Sequence, residues 1–149
     1  MSARVERLVE FYAQAARNMA SLPICNAALA VEAVGFREHA GREVGVVVTP
    51  WFMNLVVLPS PEEAAGWRRG ELARLEFPSG AYDFVVGEAA GEFVASCSLF
   101  TLMHDFLDAN AARAAALAAA DALFEPGSPP APEPTKSAPM LSRRRFFGG

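Results

Sequence analysis

The stretch GVVVTPWFMNLVVLP, residues 45–59, consists of two apolar runs on either side of a bulky segment that contains proline. Branched aliphatic side chains favour β-strands, whereas a proline has no N–H to donate to a strand ladder. Pro50 and Pro59 should therefore each end a strand. The stretch predicts one strand over residues 42–49 and a second over residues 54–58.

Further apolar runs lie on both sides of this stretch. Residues 28–36 precede it, and the segment REHAG at 37–41 ends in glycine, which predicts a turn and an antiparallel hairpin. Downstream, glycine-containing turns separate three more runs, at residues 72–77, 82–88 and 92–98. Sequential short strands joined by such turns predict an antiparallel meander.

Two segments with helical periodicity flank the predicted strands. Apolar residues recur every three or four positions over residues 3–20, and Pro23 prevents the helix from continuing. Residues 106–123 are rich in alanine, the best helix former, and Asp105 or Asp108 can cap this helix. We predict a single α+β domain over 1–124, with an N-terminal and a C-terminal helix packed on one antiparallel sheet.

The composition changes at Glu125. Residues 125–149 are rich in proline and lack apolar periodicity, which predicts a flexible, extended linker. The linker leads to the peptide SRRRFFGG at residues 142–149. This peptide is either a solvated basic tail or a binding segment, and its paired phenylalanines favour binding.

The net charge of the predicted domain is negative. Residues 1–124 contain nine arginines and no lysine against fifteen acidic residues, which gives −6. This charge argues against a nucleic-acid partner and favours a basic peptide or protein. The apolar run 44–58 is too short and too interrupted to cross a bilayer, and no secretory signal starts the chain, so we expect a soluble, cytoplasmic protein.

Residues suited to catalysis or metal binding are few. Cys25 and Cys97 form no C-x-x-C pair, and neither nucleotide-binding glycine motif occurs. We therefore predict no metal and no cofactor. An enzyme could use only Cys97, His104 and Asp105, which is weak support for catalysis, so we predict a non-enzymatic protein.

The bulky segment Pro50-Trp51-Phe52-Met53 allows two interpretations. These side chains either fill the space between sheet and helix or form an aromatic, methionine-containing lip for a partner polypeptide. Aromatic and methionine side chains suit the second role because they bury much area and adapt to different partners.

Three stretches resemble the HybE/HupJ family of [NiFe]-hydrogenase assembly chaperones. They are residues 45–59, FPSGAYDF at 77–84 and SCSLF at 96–100. The terminal Arg-Arg-x-Phe-Phe-Gly is similar to the way in which many members end. The resemblance covers residues 1–124 and the last eight residues, and the proline-rich linker is unmatched.

The resemblance implies a cytoplasmic chaperone that binds a hydrogenase precursor before export, in particular the small subunit with its twin-arginine signal. The large subunit and a separate rubredoxin stay open as partners, because this chain lacks the paired C-x-x-C motifs of rubredoxin-fused relatives. A generic peptide-binding module with another client is the alternative.

Partner-binding residues are expected in two places. The first comprises Pro50, Trp51, Phe52, Met53 and Tyr82, together with carboxylates for arginine at Glu32, Glu76, Asp83 and Glu92. The second comprises Arg143, Arg144, Phe146 and Phe147, which resemble the S-R-R-x-F-L core of a twin-arginine signal. At this position the peptide is not expected to direct export, and our hypothesis is that it imitates such a signal.

Overall fold

The computed structural model describes residues 2–126, which form an α+β fold with one antiparallel sheet. The helices are α1 (Ala3–Met19), α2 (Pro61–Ala64) and α3 (Ala109–Leu123). The strands are β1 (Glu32–His39), β2 (Arg42–Val48), β3 (Met53–Leu58), β4 (Leu72–Phe77), β5 (Gly80–Ala89) and β6 (Glu92–Phe100). The predicted fold class is confirmed. None of the helices within the described range has the length and apolar character that crossing a bilayer requires.

The strands follow the order β1-β2-β3-β6-β5-β4. Each half of the sheet is a three-stranded meander, and the two halves are joined where β3 pairs with β6. A simple meander would have placed β4 beside β3, so that part of the prediction is wrong. The connection over residues 59–71 allows the crossover, and Arg42 anchors it with three hydrogen bonds to the Glu63 carboxylate.

The first hairpin is tighter than the sequence predicts. Only Ala40 and Gly41 form its turn, with φ angles of 54° and 81°. A second turn of the same kind, Ala90-Gly91, joins β5 to β6 with φ angles of 56° and 79°. Positive φ at both positions matches the twist of the flanking strands. Alanine rarely adopts this conformation, which is why residues 37–39 were wrongly predicted as turn rather than strand.

The two long helices pack on opposite faces of the sheet. Val5 and Leu8 of α1 contact one buried cluster, which includes Val47 and Val56. The buried alanines of α3 contact a second cluster, built on the alternate strand positions such as Val46 and Leu55. Because successive side chains of a strand point to opposite faces, the protein has three layers.

The sheet curls around α3. His39 at the end of β1 stacks on Phe77 at the end of β4, with 5.4 Å between ring centroids, although these strands are the two edges of the sheet. Small side chains make this close approach possible. Ala112, Ala116 and Ala120 are fully buried, and a Cβ added to Gly35 would lie 2.8 Å from the Ala120 Cβ.

A charged contact holds the first turn of α1 on its own face of the sheet. Glu92 accepts hydrogen bonds from Arg4, at 2.7 and 3.0 Å, and from Arg7, at 3.1 Å. Partial desolvation raises the pKa of the Glu92 carboxyl, but the hydrogen bonds and charges of the two arginines outweigh it and hold the pKa below 4.5.

Enlarging Ala120 should destabilise the fold, because no space separates α3 from the bulge at Gly35. We expect Ala120→Leu to lower the free energy of unfolding in urea by about 1–3 kcal/mol, the usual cost of overpacking. Ala118→Leu is the matched control, since Ala118 is exposed on the same helix. Equal stability of the two variants would contradict this packing.

Glu92 should contribute to the pH dependence of stability. Its pKa is lowered on folding, so its contribution is complete above about pH 4.5 and is lost as the pH falls through the lower folded-state pKa. We measure the free energy of unfolding in urea as a function of pH and call its fall at low pH the acid limb. We expect Glu92→Gln to remove the contribution of Glu92 from this limb. Arg17→Gln should leave the limb unchanged, because Arg17 contacts Glu10 at an exposed site. An acid limb that is the same in wild type and Glu92→Gln would contradict the assignment.

Candidate functional site

Helix α1 covers only part of its face of the sheet. The register of β3, β6, β5 and β4 places a continuous set of side chains on the uncovered part. All of them are exposed or half-buried, and we call this surface the open face: Asn54, Leu72, Arg74, Glu76, Asp83, Val85, Ser96 and Ser98.

An apolar pair lies on the open face. Leu72 and Val85 are opposite each other on β4 and β5, and 65% and 49% of their surfaces are exposed. Two adjacent aliphatic side chains at these exposures provide a contact for an apolar side chain of a partner. Both residues are out of phase with their buried neighbours Leu75 and Phe84, and this alternation is the sequence signal from which their exposure could have been predicted.

Three polar side chains lie next to this pair. Asn54 and Ser98 are opposite each other, and Ser96 lies opposite Val85. All three are half-buried, and their side chains make no hydrogen bond to another residue in the described part of the chain. Their donors and acceptors are therefore available to a bound polypeptide.

The open face has one carboxylate without a partner. Glu76 forms no ion pair or hydrogen bond through its side chain within residues 2–126, and it is exposed. The Asp83 carboxylate lies 3.0 Å from Arg74 at an exposed site, where such a pair contributes little to stability. The other two carboxylates expected to bind arginine already have partners: Glu32 binds Arg113, and Glu92 binds α1.

Strand β4 has a free edge beside the open face. Among the strands that the structure describes it pairs with β5 alone, and the hydrogen bond from Val86 N–H to the Glu71 carbonyl sets the phase of this ladder. The backbone groups of Leu72, Arg74 and Glu76 consequently point away from β5. A free strand edge can pair with an extended peptide, which gives affinity through main-chain hydrogen bonds.

An aromatic rim borders the open face where α1 ends. It consists of Trp51, Phe52, Tyr12 and Phe11, and successive ring centroids are 5.5, 5.3 and 5.1 Å apart in edge-to-face geometry. Buried Thr49 orients this segment, since its Oγ1 accepts the N–H groups of Trp51 and Phe52. Burial raises the pKa of the Tyr12 phenol above 10.0.

A cavity of about 290 Å³ lies behind the rim, between the end of α1 and Pro50. Its lining includes Cys25 and Asn26. Asn26 holds this region together, because its Nδ2 donates to the carbonyls of Met103 and Phe106 while its N–H donates to the Pro50 carbonyl. The sequence gives no pointer to Asn26, since a single asparagine in a loop carries no pattern.

The structure groups some of the predicted binding residues and separates others. Trp51 and Phe52 are half-buried and lie together in the rim, whereas Pro50 and Met53 are buried, with Met53 packed in the core on the α3 side. Tyr82 also faces the α3 side, and its Oη lies 2.7 Å from Ser79 Oγ. Of the four residues of this segment, Trp51 and Phe52 are thus the two that remain accessible at the rim. Arg143, Arg144, Phe146 and Phe147 lie outside the described residues, as does most of the predicted linker 125–149.

Two of the residues considered for catalysis, His104 and Cys97, make contacts that stabilise the fold. Nε2 of His104 lies 2.8 Å from the Pro23 carbonyl, and Cys97 packs against the core on the α3 side. Between residues 2 and 126, no group of three or more His, Cys, Asp or Glu side chains is arranged to hold a metal ion. The open face, on the α1 side of the sheet, has a geometry that is suited to holding a polypeptide.

Comparison with known proteins gives a consistent set of relatives. A family model described as "[NiFe]-hydrogenase assembly, chaperone, HybE" matches residues 3–149. A "Hydrogenase expression/formation protein HupJ" from Bradyrhizobium diazoefficiens is 51% identical over 74% of this chain and 64% of its own length. A "Hydrogenase expression/formation protein HupT" from Azotobacter chroococcum is 39% identical over 95% of this chain and 92% of its own.

One relative is considerably longer than the matched region. A "Probable rubredoxin HupJ" from Rhodobacter capsulatus is 50% identical over 59% of this chain but only 32% of its own length. The chain therefore spans 64% of the length of the Bradyrhizobium diazoefficiens relative and 32% of the length of the Rhodobacter capsulatus relative. The solution structure of HybE from Escherichia coli matches with a TM-score of 0.55 and 24% identity, over 70% of this chain and 67% of that one. At this identity the similarity concerns the fold.

Burial of Tyr12 in the rim is testable by its ionisation. We expect the difference between the alkaline absorbance titrations of wild type and Tyr12→Phe to show a phenol that ionises above pH 10, because burial disfavours the charged form. The same difference measured in denaturant should return to the ordinary tyrosine pKa. A component that titrates at or below 10 in the native protein would show that the Tyr12 ring is solvated and that the rim is not packed as described.

Proposed function

Because the chain belongs to the HybE family of [NiFe]-hydrogenase assembly chaperones, we propose that it binds an immature hydrogenase precursor in the cytoplasm, before export. We propose further that the client is the small subunit with its twin-arginine signal. One observation carries this proposal: the open face joins an unpaired carboxylate, Glu76, to an exposed apolar pair beside a free strand edge.

The chemistry of the open face suits a peptide in which arginines precede apolar side chains. A guanidinium group pairs with a carboxylate through two parallel hydrogen bonds, a geometry that a lysine cannot reproduce. Glu76 can offer both oxygens at once, because no residue of the described chain uses them. An apolar side chain further along the peptide would contact Leu72 and Val85.

An extended client segment could also use its backbone. The outward-facing groups of Leu72, Arg74 and Glu76 can pair with it, as in peptide recognition by strand addition. Such pairing is independent of the client's side chains, so selectivity would come from Glu76 and the apolar pair. The rim residues Trp51 and Phe52 would extend the contact towards the folded part of the precursor.

The proposed activity is binding without a chemical step. The large subunit is the alternative client, and a generic peptide-binding role is the alternative function. The name of the Rhodobacter capsulatus relative contains rubredoxin. A separate rubredoxin therefore stays open as a further partner.

Replacing the apolar pair should weaken client binding. We expect Leu72→Ser to raise the Kd for the small-subunit precursor about tenfold, since an exposed leucine that becomes buried contributes on the order of 1–2 kcal/mol. Trp51→Ala should have an effect of similar size if the rim contacts the client. Binding is measured by titration calorimetry with the purified precursor.

Leu102→Ser is the matched control. Leu102 is 61% exposed, close to the 65% of Leu72, but it lies outside the open face. We expect the Leu102→Ser variant to bind the small-subunit precursor with the same Kd as the wild type. The client motif is contradicted if a precursor that lacks its signal binds as tightly as the intact precursor. The proposed surface is contradicted if all variants bind the precursor with equal affinity.

A further inference from the structure

The last described residues lie at the edge of the sheet beside the β4–β5 turn, on the α3 side. The Leu123 carbonyl at the end of α3 accepts the N–H of Ser79, in the turn between β4 and β5. The Phe124 ring packs on Phe77, with 5.9 Å between centroids. The described chain therefore ends near one end of the free edge of β4.

The segment that follows is long enough to reach along this edge. Fifteen residues, 127–141, separate Pro126 from Ser142. A flexible chain of this length has a root-mean-square span of roughly 20 Å. The six residues of β4 extend over about 20 Å as well. Residues 142–147 can thus lie beside β4 without stretching the linker.

The chemistry of residues 142–147 complements the open face. Arg143, Arg144 and Arg145 provide three positive charges, opposite a folded region with a net charge of −6 over residues 1–124. On the open face Glu76 has no partner among residues 2–126, and the Arg74–Asp83 pair is exposed enough to exchange. Phe146 and Phe147 provide apolar side chains that can cover Leu72 and Val85, which are otherwise exposed to water.

We propose that residues 142–147 dock on the open face of their own chain, along the free edge of β4, when no client is bound. A guanidinium group of the triple arginine pairs with Glu76, and a phenylalanine ring contacts Leu72 and Val85. This inference rests on the proposed function in one respect, namely that the open face is also the surface that binds the client. The peptide then acts as an internal competitor that a client must displace.

Internal competition has a measurable consequence. A tethered peptide on a short flexible linker has an effective concentration in the millimolar range. Even a weak contact is then occupied, and the apparent affinity for a client falls by about tenfold. Precursors with a strong contact displace the peptide, whereas weakly binding basic peptides are excluded.

The test compares amide chemical shifts of full-length variants. We expect Arg144→Glu to change the shifts of Leu72, Glu76 and Val85, and Glu76→Arg to change the same set. The double variant, with the two charges exchanged, should restore the docked pattern. Glu38→Arg is the matched control, because Glu38 is an exposed, unpaired carboxylate on the other edge strand, β1, and it should leave the docked pattern intact.

Each outcome distinguishes self-docking from the proposed function. Unchanged open-face shifts in Arg144→Glu would overturn self-docking, whether or not a client binds. Shifts in the wild type that change on dilution would overturn it too, since docking within one chain is independent of concentration.

Titration with a synthetic twin-arginine signal peptide completes the test. Affinity about tenfold higher for Arg144→Glu than for the wild type supports internal competition. Equal affinity contradicts it and leaves the client proposal standing. If neither chain binds the peptide while the shift changes are present, self-docking stands and the proposed client motif fails.

Discussion

The close packing of an alanine-rich helix inside a curled sheet is the constraint on which the rest of the structure depends. Ala112, Ala116 and Ala120 let the strands approach α3 until the two edge strands meet at His39 and Phe77. Larger side chains would hold the sheet open, because protein interiors are packed as densely as organic crystals. Within residues 2–126, one face of the sheet is thereby filled, and the opposite face stays partly uncovered.

The way in which α1 lies on this opposite face defines the open surface. Glu92 holds Arg4 and Arg7 at one end of the helix, and further along it the Tyr12 ring packs edge-to-face on Phe52. The helix therefore lies over one part of the sheet and leaves much of β4, β5 and β6 uncovered. Exposed aliphatic side chains and unpaired polar groups remain there.

Membership of the HybE family and the shape of this surface are independent observations. The family relationship concerns hydrogenase assembly, and the geometry concerns where a chain could be held. The peptide at residues 142–147 connects them, since it combines the arginine and aromatic chemistry that the open face would select. Regulation by a tethered copy of the ligand requires little affinity, because the linker supplies the effective concentration.

Local sequence patterns were sufficient for the elements and for the family resemblance. Apolar periodicity predicted the N-terminal helix and alanine content the C-terminal one, while branched aliphatic runs ended by Pro50 and Pro59 predicted two central strands. Local patterns carry this information because helix and strand periods are properties of neighbouring residues. Three features follow from packing of the whole fold: β6 pairs with β3, Met53 and Tyr82 lie on the α3 side, and Leu72 meets Val85. Such contacts join residues far apart in the chain, and they depend on which strands become neighbours when the whole core packs.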